Sequence, residues 1–365
     1  MKLYDHQQRF IDQDPDRALL CWEVGTGKTL AACMWMKLRP DISFVVVCPK
    51  QILKMWTDAV RSTTAVVVTK EQYKKYTAPY SGIVVDEADQ GFGSPLFTKG
   101  RSAMATTLYT WIRAHDTAPV LLLSGTPIRN SPHTAHTLLT YIQKAPTWKE
   151  YRAKQYELIS RPYQPRPFYS PLKGWQKVAA KMITDNAYVA NLSDIADVPE
   201  QHNDMVRVKE MAVIAPTWHD FARAESGAKK LAWIRNYVKD KRKVVIVSRY
   251  LSTIEAYAKE LSKDRQTFVL TGSTPDQEGT IKEARESFEN FFIVQAGLGS
   301  GFELPEFSHM IFVSLSFAVR DLVQMKGRVL RINALKSNWY TYLIGGRCDE
   351  SVYKRVVVEG QDFKI

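Results

Sequence analysis

The sequence predicts an α/β protein built from two mainly parallel, helix-covered sheets, one in each half of the chain. From Ala18 to about Ala145, short apolar runs alternate with longer mixed stretches, as strands and helices do when a parallel sheet is covered on both faces. The alternation lapses and resumes after about Asp204, which predicts a second sheet of the same kind. The third observation is Trp22-Glu23-Val24-Gly25-Thr26-Gly27-Lys28-Thr29, a glycine-rich turn between the apolar run Ala18 to Cys21 and the helix-favouring run Leu30 to Met34.

In the first half the strand-like segments are Ser43 to Cys48, Ala65 to Thr69, Gly82 to Asp86 and Pro119 to Ser124, with helix-like stretches over Gln51 to Val60 and Met104 to His115. In the second half they are Lys243 to Ser248, Gln266 to Thr271, Phe291 to Gln295, His309 to Ser314 and Trp339 to Ile344, with helices expected over Ser252 to Ser262 and Pro275 to Glu289. Between about Thr147 and Trp175 the pattern is broken by Pro162, Pro165, Pro167 and Pro171 among aromatic and basic residues such as Trp148, Tyr169, Lys149 and Arg152. This reads as a boundary or linker. Contact with nucleic acid and packing at a domain junction are both open to it. The resulting division is a first domain over 1–146, a linker or accessory segment over 147–204 and a second domain over 205–365.

A chain of 365 residues is long enough for two domains, each with its own core. Hydrophobic residues make up 45% and charged residues 24%, an ordinary globular balance. Lys and Arg number 50 against 38 Asp and Glu, a formal charge of +12, which favours a polyanionic partner, although many basic proteins bind none. The cysteines, Cys21, Cys33, Cys48 and Cys348, lack paired metal-ligand spacing and read as buried thiols of a reducing compartment, with neither zinc nor disulfide expected. No apolar leader or bilayer-length stretch is visible. A cytoplasmic location without membrane contact is expected, or a nuclear one in a source with a nucleus.

The glycine-rich turn reads as a phosphate cradle. Gly25 and Gly27 let the backbone turn tightly so that its N–H groups and the positive end of the following helix face an anion. Lys28 supplies a charge for the outer phosphates and Thr29 a hydroxyl for Mg²⁺. The general pattern places a glycine six residues before the lysine, where this chain has Trp22. The second signal is Ile83-Val84-Val85-Asp86-Glu87-Ala88-Asp89, an apolar strand delivering carboxylates at its end. Asp86 suits Mg²⁺ held mainly through water, and Glu87 suits a group that orients and deprotonates an attacking water. The third is Leu121-Leu122-Leu123-Ser124-Gly125-Thr126-Pro127-Ile128-Arg129-Asn130-Ser131, where Ser124 and Thr126 could relay nucleotide state through short hydrogen bonds or simply cap a turn.

Together these segments resemble the superfamily 2 helicase-like motors, and among them the Swi/Snf-like double-stranded DNA translocases. Val47 to Trp56 is similar to that group's first DNA-contacting segment, and Leu3-Tyr4-Asp5-His6-Gln7 to its adenine-reading segment. In the second half, Val244 to Tyr250 and Leu270 to Ser273 resemble polymer-facing segments, Gln295 to Leu304 a loop touching nucleic acid and nucleotide, and Gln324 to Ile332 the segment with the arginine fingers. Trp22 stands where the group has an acidic residue and Asp89 where it more often has histidine, and no room is left for the large insertions of chromatin remodellers.

The resemblance implies two tandem recombinase-like (P-loop NTPase) domains and an ATP-driven motor acting on nucleic acid, preferably double-stranded DNA, with a monomer sufficient for catalysis. Its implied ATP ligands are Gln7 for adenine and Gly25, Thr26, Gly27, Lys28, Thr29 and Asp86 for the triphosphate and Mg²⁺. The catalytic set is Lys28, Glu87, Gln324, Arg328 and Arg331. Arg328 and Arg331 lie three apart, a spacing that places both on one face of a helical turn. The implied nucleic-acid contacts are Lys50, Gln51, Asn130, Arg249, Thr271 and Gly299. Two alternatives remain open: a helicase directed at RNA or single strands, and a nucleic-acid clamp that uses ATP as a switch. A metabolic kinase or ligase would explain neither the second-half arginines nor the charge.

Overall fold

The computed structural model describes residues 3–97, 102–128, 131–160, 168–208, 217, 220, 223–298, 301–331 and 337–360. The chain divides into two compact units, one within Met1–Ile195 and the other within Ala196–Gln361.

In the first unit the strands are β1 (Arg17–Trp22), β2 (Phe44–Cys48), β3 (Val66–Thr69), β4 (Gly82–Val85), β5 (Val120–Leu123), the antiparallel pair β6 (Tyr156–Ile159) and β7 (Phe168–Pro171), and β8 (Tyr188–Ala190). Six of them form one sheet in the order β3-β2-β4-β5-β1-β8, and every neighbouring pair in it is parallel. The near-continuous apolar runs follow from burial on both faces. Val45 and Val47 of β2 pack with Ile83, Val85 and Leu122 in one core cluster, whereas Phe44, Val46 and Cys48 pack with Val84, Leu121 and Leu123 in the opposite one. Helices cover the sheet, among them Asp5–Gln13, Lys28–Lys37, Leu53–Ala59 and Ala103–Ala114. The stretch after Thr147 contains the helices Trp148–Gln155 and Trp175–Asn186 besides β6, β7 and β8. Trp175, Ala179 and Ile183 join the core beneath β4 and β5.

The second unit repeats the architecture with β9 (Glu200–Arg207), β10 (Lys243–Ser248), β11 (Thr267–Leu270), β12 (Asn290–Gln295), β13 (His309–Phe312) and β14 (Ser337–Ile344). Their order is β11-β12-β10-β13-β14-β9, again all parallel. The helices Ala228–Tyr237 and Leu251–Leu261 pack Ile234, Ile254 and Tyr257 onto Val244, Ile246 and Ile311. The fold class expected from the alternation of apolar and mixed segments is the one observed, and the strand bounds differ from the sequence reading by one or two residues at most of the ends. Among the described residues no helix is long and apolar enough to cross a membrane, and all four cysteines are buried.

Two buried polar features distinguish the units. In the second, Lys230 is fully buried and donates to Asp349 and to the Val313 carbonyl at 2.6 Å. Asp349 also accepts the Gly345 N–H at 2.8 Å. In the first, His133 and His136 pack into a cluster with Trp148, Tyr151 and Tyr156, and burial lowers both histidine pKa values, that of His133 to about 4.

Removing one member of a buried ion pair strands the other charge. Lys230→Ala and Asp349→Ala are each expected to lose about 3–5 kcal/mol in urea denaturation, and Lys230→Met with Asp349→Leu together less than the sum of the single losses. A histidine held neutral in the fold contributes stability that is complete above its unfolded pKa near 6.5 and is lost as pH falls toward the folded value near 4. The melting temperature is therefore expected to drop by several degrees between pH 7 and pH 5, and by less in His133→Asn.

Candidate nucleotide site and the nucleic-acid segments

The glycine-rich turn leaves β1 at Trp22 and enters the helix that begins at Lys28. Gly25 and Gly27 have φ of 91° and 82°, values that L side chains rarely adopt. The turn is held from several sides. Thr26 Oγ1 donates to the Glu23 carbonyl at 2.8 Å. Lys28 Nζ donates to the carbonyls of Trp22 and Glu23 at 2.7 and 3.0 Å, which keeps the ammonium folded over the turn. Glu23 Oε2 accepts the Leu192 N–H at 2.8 Å, tying the turn to the segment after β8.

The helix Asp5–Gln13 supports the turn from beneath. Gln7 is 1% exposed, and its Nε2 donates to the carbonyls of Thr26 and Gly27 at 3.2 and 3.4 Å. Its Oε1 accepts the Tyr4 N–H at 3.0 Å. The His6 ring bonds the Thr26 carbonyl at 2.9 Å and meets the Trp22 ring edge-on, with centroids 4.5 Å apart. Burial lowers the His6 pKa against the opposing pull of that carbonyl bond. Trp22, which the sequence marks only as a departure from pattern, is a buried core residue that also packs edge-on against Phe10.

Asp86 and Glu87 follow β4, and Ser124 to Thr126 follow β5. Because β5 lies between β4 and β1 in a parallel sheet, all three chemically suggestive segments leave neighbouring strands at one edge, where ligands of such sheets gather. Asp86 Oδ2 accepts the indole N–H of Trp56 at 2.7 Å, and Oδ1 accepts the N–H of Glu87 at 2.8 Å. Glu87 itself has φ +48°. Burial, with Asp89 and Asp86 nearby, raises its pKa to about 7 against the pull of Lys28 and Lys70. Lys70, at the start of a turn of helix capped by Thr69, donates to the carbonyls of Glu87 and Gln90 at 2.7 and 3.1 Å. Ser124 Oγ donates to Asp89 at 2.9 Å and accepts the Thr126 N–H at 3.1 Å, a short chain between two of the segments. A methyl group on Gly125 would lie 3.7 Å from Lys28 Nζ, so the third segment abuts the first.

Motif reading missed Lys70, and took Trp56 only as the end of the segment Val47 to Trp56, without its carboxylate partner. Their signal was faint: each follows an apolar strand that neighbours or approaches β4, but their partners are backbone groups and a carboxylate distant in sequence. Lys50 and Gln51 lie exposed on a short 3₁₀ turn after β2.

In the second unit the corresponding edge carries Arg249 and Thr271. The N–H of Arg249 donates to Ser314 Oγ at 2.9 Å, and its guanidinium sits 4.2 Å from the Phe317 ring centroid. Arg249 Nη1 is buried without a hydrogen-bond partner among the described residues. The Thr271 N–H donates to Thr274 Oγ1 at 2.9 Å, and the Gly272 N–H to Gln295 Oε1 at 3.2 Å. Asn130 and Gly299 lie outside the described residues.

Gln324, Arg328 and Arg331 are all buried. The expectation that one helical turn carries both arginines needs correction. The helix Val319–Val329 ends between them, with Leu330 extended at ψ 100°, and the Arg328 carbonyl is taken by the Leu304 N–H at 2.8 Å. The two side chains instead reach the same segment. Arg328 Nη1 donates to the Phe302 carbonyl at 2.7 Å, and Arg331 Nε lies 3.2 Å from Glu303 Oε1. Burial lowers the Arg331 pKa, and its Nη1 has no hydrogen-bond partner among the described residues.

Residues 229–333 match the family model for the helicase conserved C-terminal domain, a span that runs from the helix before β10 past Arg331. This part of the chain carries a helicase conserved C-terminal domain, in keeping with the class that the motifs resemble. Among solved structures it is similar to a Sulfolobus solfataricus SWI2/SNF2 ATPase core in complex with dsDNA, at 13% identity over 100% of this chain and 92% of that one, with a TM-score of 0.43. At that level the likeness assigns nothing further to this chain. No curated protein sequence matches it.

Gly27→Ala would bring a methyl group to 2.2 Å from Gln7 Nε2 at a φ of +82°. The substitution is expected to destabilise the first unit by about 1–3 kcal/mol and to weaken binding of a fluorescent ATP analogue at least about tenfold, measured by thermal melting and titration.

Proposed function

We propose that the protein is an ATP-dependent nucleic-acid motor that couples ATP hydrolysis to movement along duplex DNA. The observation that carries the reading is the convergence of the glycine-rich turn, the Asp86-Glu87 pair and the Ser124–Thr126 segment at three adjacent strand ends. The helicase C-terminal domain in residues 229–333 supports the motor part, and the +12 charge supports a polyanionic track.

In this reading the triphosphate lies on the turn, against the first-turn N–H groups of the helix at Lys28, which have no intrahelical acceptors. Lys28 exchanges the Trp22 and Glu23 carbonyls for phosphate oxygens. Thr29 and Asp86 hold Mg²⁺. The donor set fits that ion: one carboxylate, one hydroxyl and phosphate oxygens leave several places for water. When bound, Mg²⁺ neutralises charge on the phosphate oxygens.

Glu87, whose raised pKa suits a base working near neutral pH, accepts a proton from the attacking water. Both Nε2 hydrogens of Gln7 are committed to the turn, so adenine would be read by the remaining lone pair of Oε1. Arg328 and Arg331 are the guanidinium groups assigned to the developing phosphate charge, with Gln324 beside them. Lys50, Gln51, Asn130, Arg249, Thr271 and Gly299 are assigned to the nucleic acid, and Ser124 with Thr126 to the link between nucleotide and track.

The deciding experiment is steady-state ATP hydrolysis with duplex DNA, single-stranded DNA and RNA. Duplex DNA is expected to stimulate most. Lys28→Ala and Arg328→Ala are each expected to lower the stimulated rate by on the order of 10³-fold. Stimulation only by RNA or single strands would redirect the reading to a different track. Nucleic-acid binding with ATP bound but not turned over would make the protein a clamp. No response to any nucleic acid would end the motor reading.

A further inference from the structure

The indole of Trp56 is fully buried, and its only polar atom, Nε1, donates at 2.7 Å to Oδ2 of Asp86. Indole N–H is a donor only, and a hydrogen bond to a charged acceptor is stronger than one between neutral groups. A tryptophan placed only to fill the core would not need a carboxylate for a partner. The other oxygen of Asp86 is taken by the Glu87 N–H at 2.8 Å. The carboxylate plane is therefore set by two donors, one from its own chain turn and one from the helix Leu53–Ala59.

That helix continues from the 3₁₀ turn Lys50–Ile52. Ile52, Trp56 and Val60 recur every four residues along its inward face and are buried, while Lys50, Gln51, Lys54 and Met55 are exposed. One short rigid element thus presents the side chains assigned to nucleic acid on its outside and the donor to Asp86 on its inside. Its strand, β2, is paired with β4, and the Asp86 N–H donates to the Val47 carbonyl at 2.8 Å. A displacement of the outer face moves the indole relative to a carboxylate anchored on the neighbouring strand.

We infer that Trp56 is a positioning residue that orients the Asp86 carboxylate for Mg²⁺ and transmits contact at Lys50 and Gln51 to it. The inference rests on the nucleotide-site reading given above.

Trp56→Phe removes the N–H and keeps an aromatic ring. In the full chain, the Mg²⁺ concentration that half-saturates binding of a fluorescent ATP analogue is expected to rise about tenfold, at the low end of the losses seen when the orienting partner of a metal ligand is removed. Binding of the analogue in EDTA is expected to stay within about twofold. The stimulation by duplex DNA, as a ratio to the unstimulated rate, is expected to fall, and Gln51→Ala is expected to lower it no further in the Trp56→Phe background. An unchanged Mg²⁺ half-saturation, or additive effects of the two substitutions, would overturn the inference.

If Trp56→Phe does not fold, the test moves to the unaltered protein. Duplex DNA and Mg²⁺ with nucleotide should each shift the Trp56 indole N–H resonance in the ¹⁵N-labelled chain, and a resonance unmoved by DNA counts against transmission. The two readings fail separately. If the unaltered protein shows no nucleic-acid stimulation, the motor reading falls, while the Mg²⁺ dependence still decides whether Trp56 orients Asp86.

Discussion

Asp86 is a carboxylate only 6% exposed at the end of a strand whose own residues are fully buried. Placing such a charge in the interior costs several kcal/mol unless hydrogen bonds replace its water. Much of the surrounding structure follows from meeting that requirement. The Glu87 N–H reaches back to Oδ1, and the chain turns sharply enough to put Glu87 at positive φ, a strain on the order of 1 kcal/mol. Within the turn the Glu87 carbonyl accepts the Gln90 N–H, and Lys70, from the exit of β3, donates to the carbonyls of both Glu87 and Gln90. Oδ2 draws the indole of Trp56 inward from the exit of β2. Beyond the turn, Ala88 pairs with Leu123, and Asp89 meets Ser124 at the exit of β5. The buried acidic turn from Asp86 to Gln90 therefore links the ends of four strands.

What the sequence makes visible and what it hides divide along the same line. Residues of β2, β4 and β5 are apolar because both faces are covered, so their runs stand out without any knowledge of partners. Lys28, Asp86 and Ser124 stand out because each follows such a run. Trp56 and Lys70 do not, because their significance lies in partners from other strands, and a tryptophan or lysine alone has a commoner explanation in packing or solvation. The three-residue spacing of Arg328 and Arg331 shows the limit of periodicity arguments. Spacing describes a helix only while the helix lasts, and here the capture of the Arg328 carbonyl by Leu304 ends it.

The second unit uses the same sheet design. At the carboxyl ends of its strands the hydroxyls of Ser248, Ser314, Thr271 and Thr274 accept backbone N–H groups, as Ser124 does in the first unit, where a carboxylate, Asp86, accepts one as well. Deeper in the unit, the Lys230–Asp349 pair holds the helix Ala228–Tyr237 to the exits of β13 and β14. The cationic side chains of this edge are held unequally. Arg328 has a firm carbonyl partner, whereas Arg249 and Arg331 each keep a buried Nη1 without a hydrogen bond among the described residues. Buried guanidinium N–H groups left in this way are costly, and an anionic ligand would remove that cost.

The awkward position in the glycine-rich turn resolves on similar physical grounds. A leading glycine is needed where the backbone must already turn, but Trp22 is still a strand residue, in register with Ala190 of β8. The turn begins after it, and the positive φ values fall at Gly25 and Gly27. A side chain at position 22 therefore meets no conformational obstacle and points into a core that accepts it, between His6 and Phe10. Its carbonyl, meanwhile, is one of the two that hold Lys28. The bulky side chain anchors the turn through the helix Asp5–Gln13, whose Gln7 and His6 grip the Thr26 carbonyl from the same side. The residue that departs from the expected pattern of the glycine-rich turn is thus one through which the helix Asp5–Gln13 holds the turn's shape.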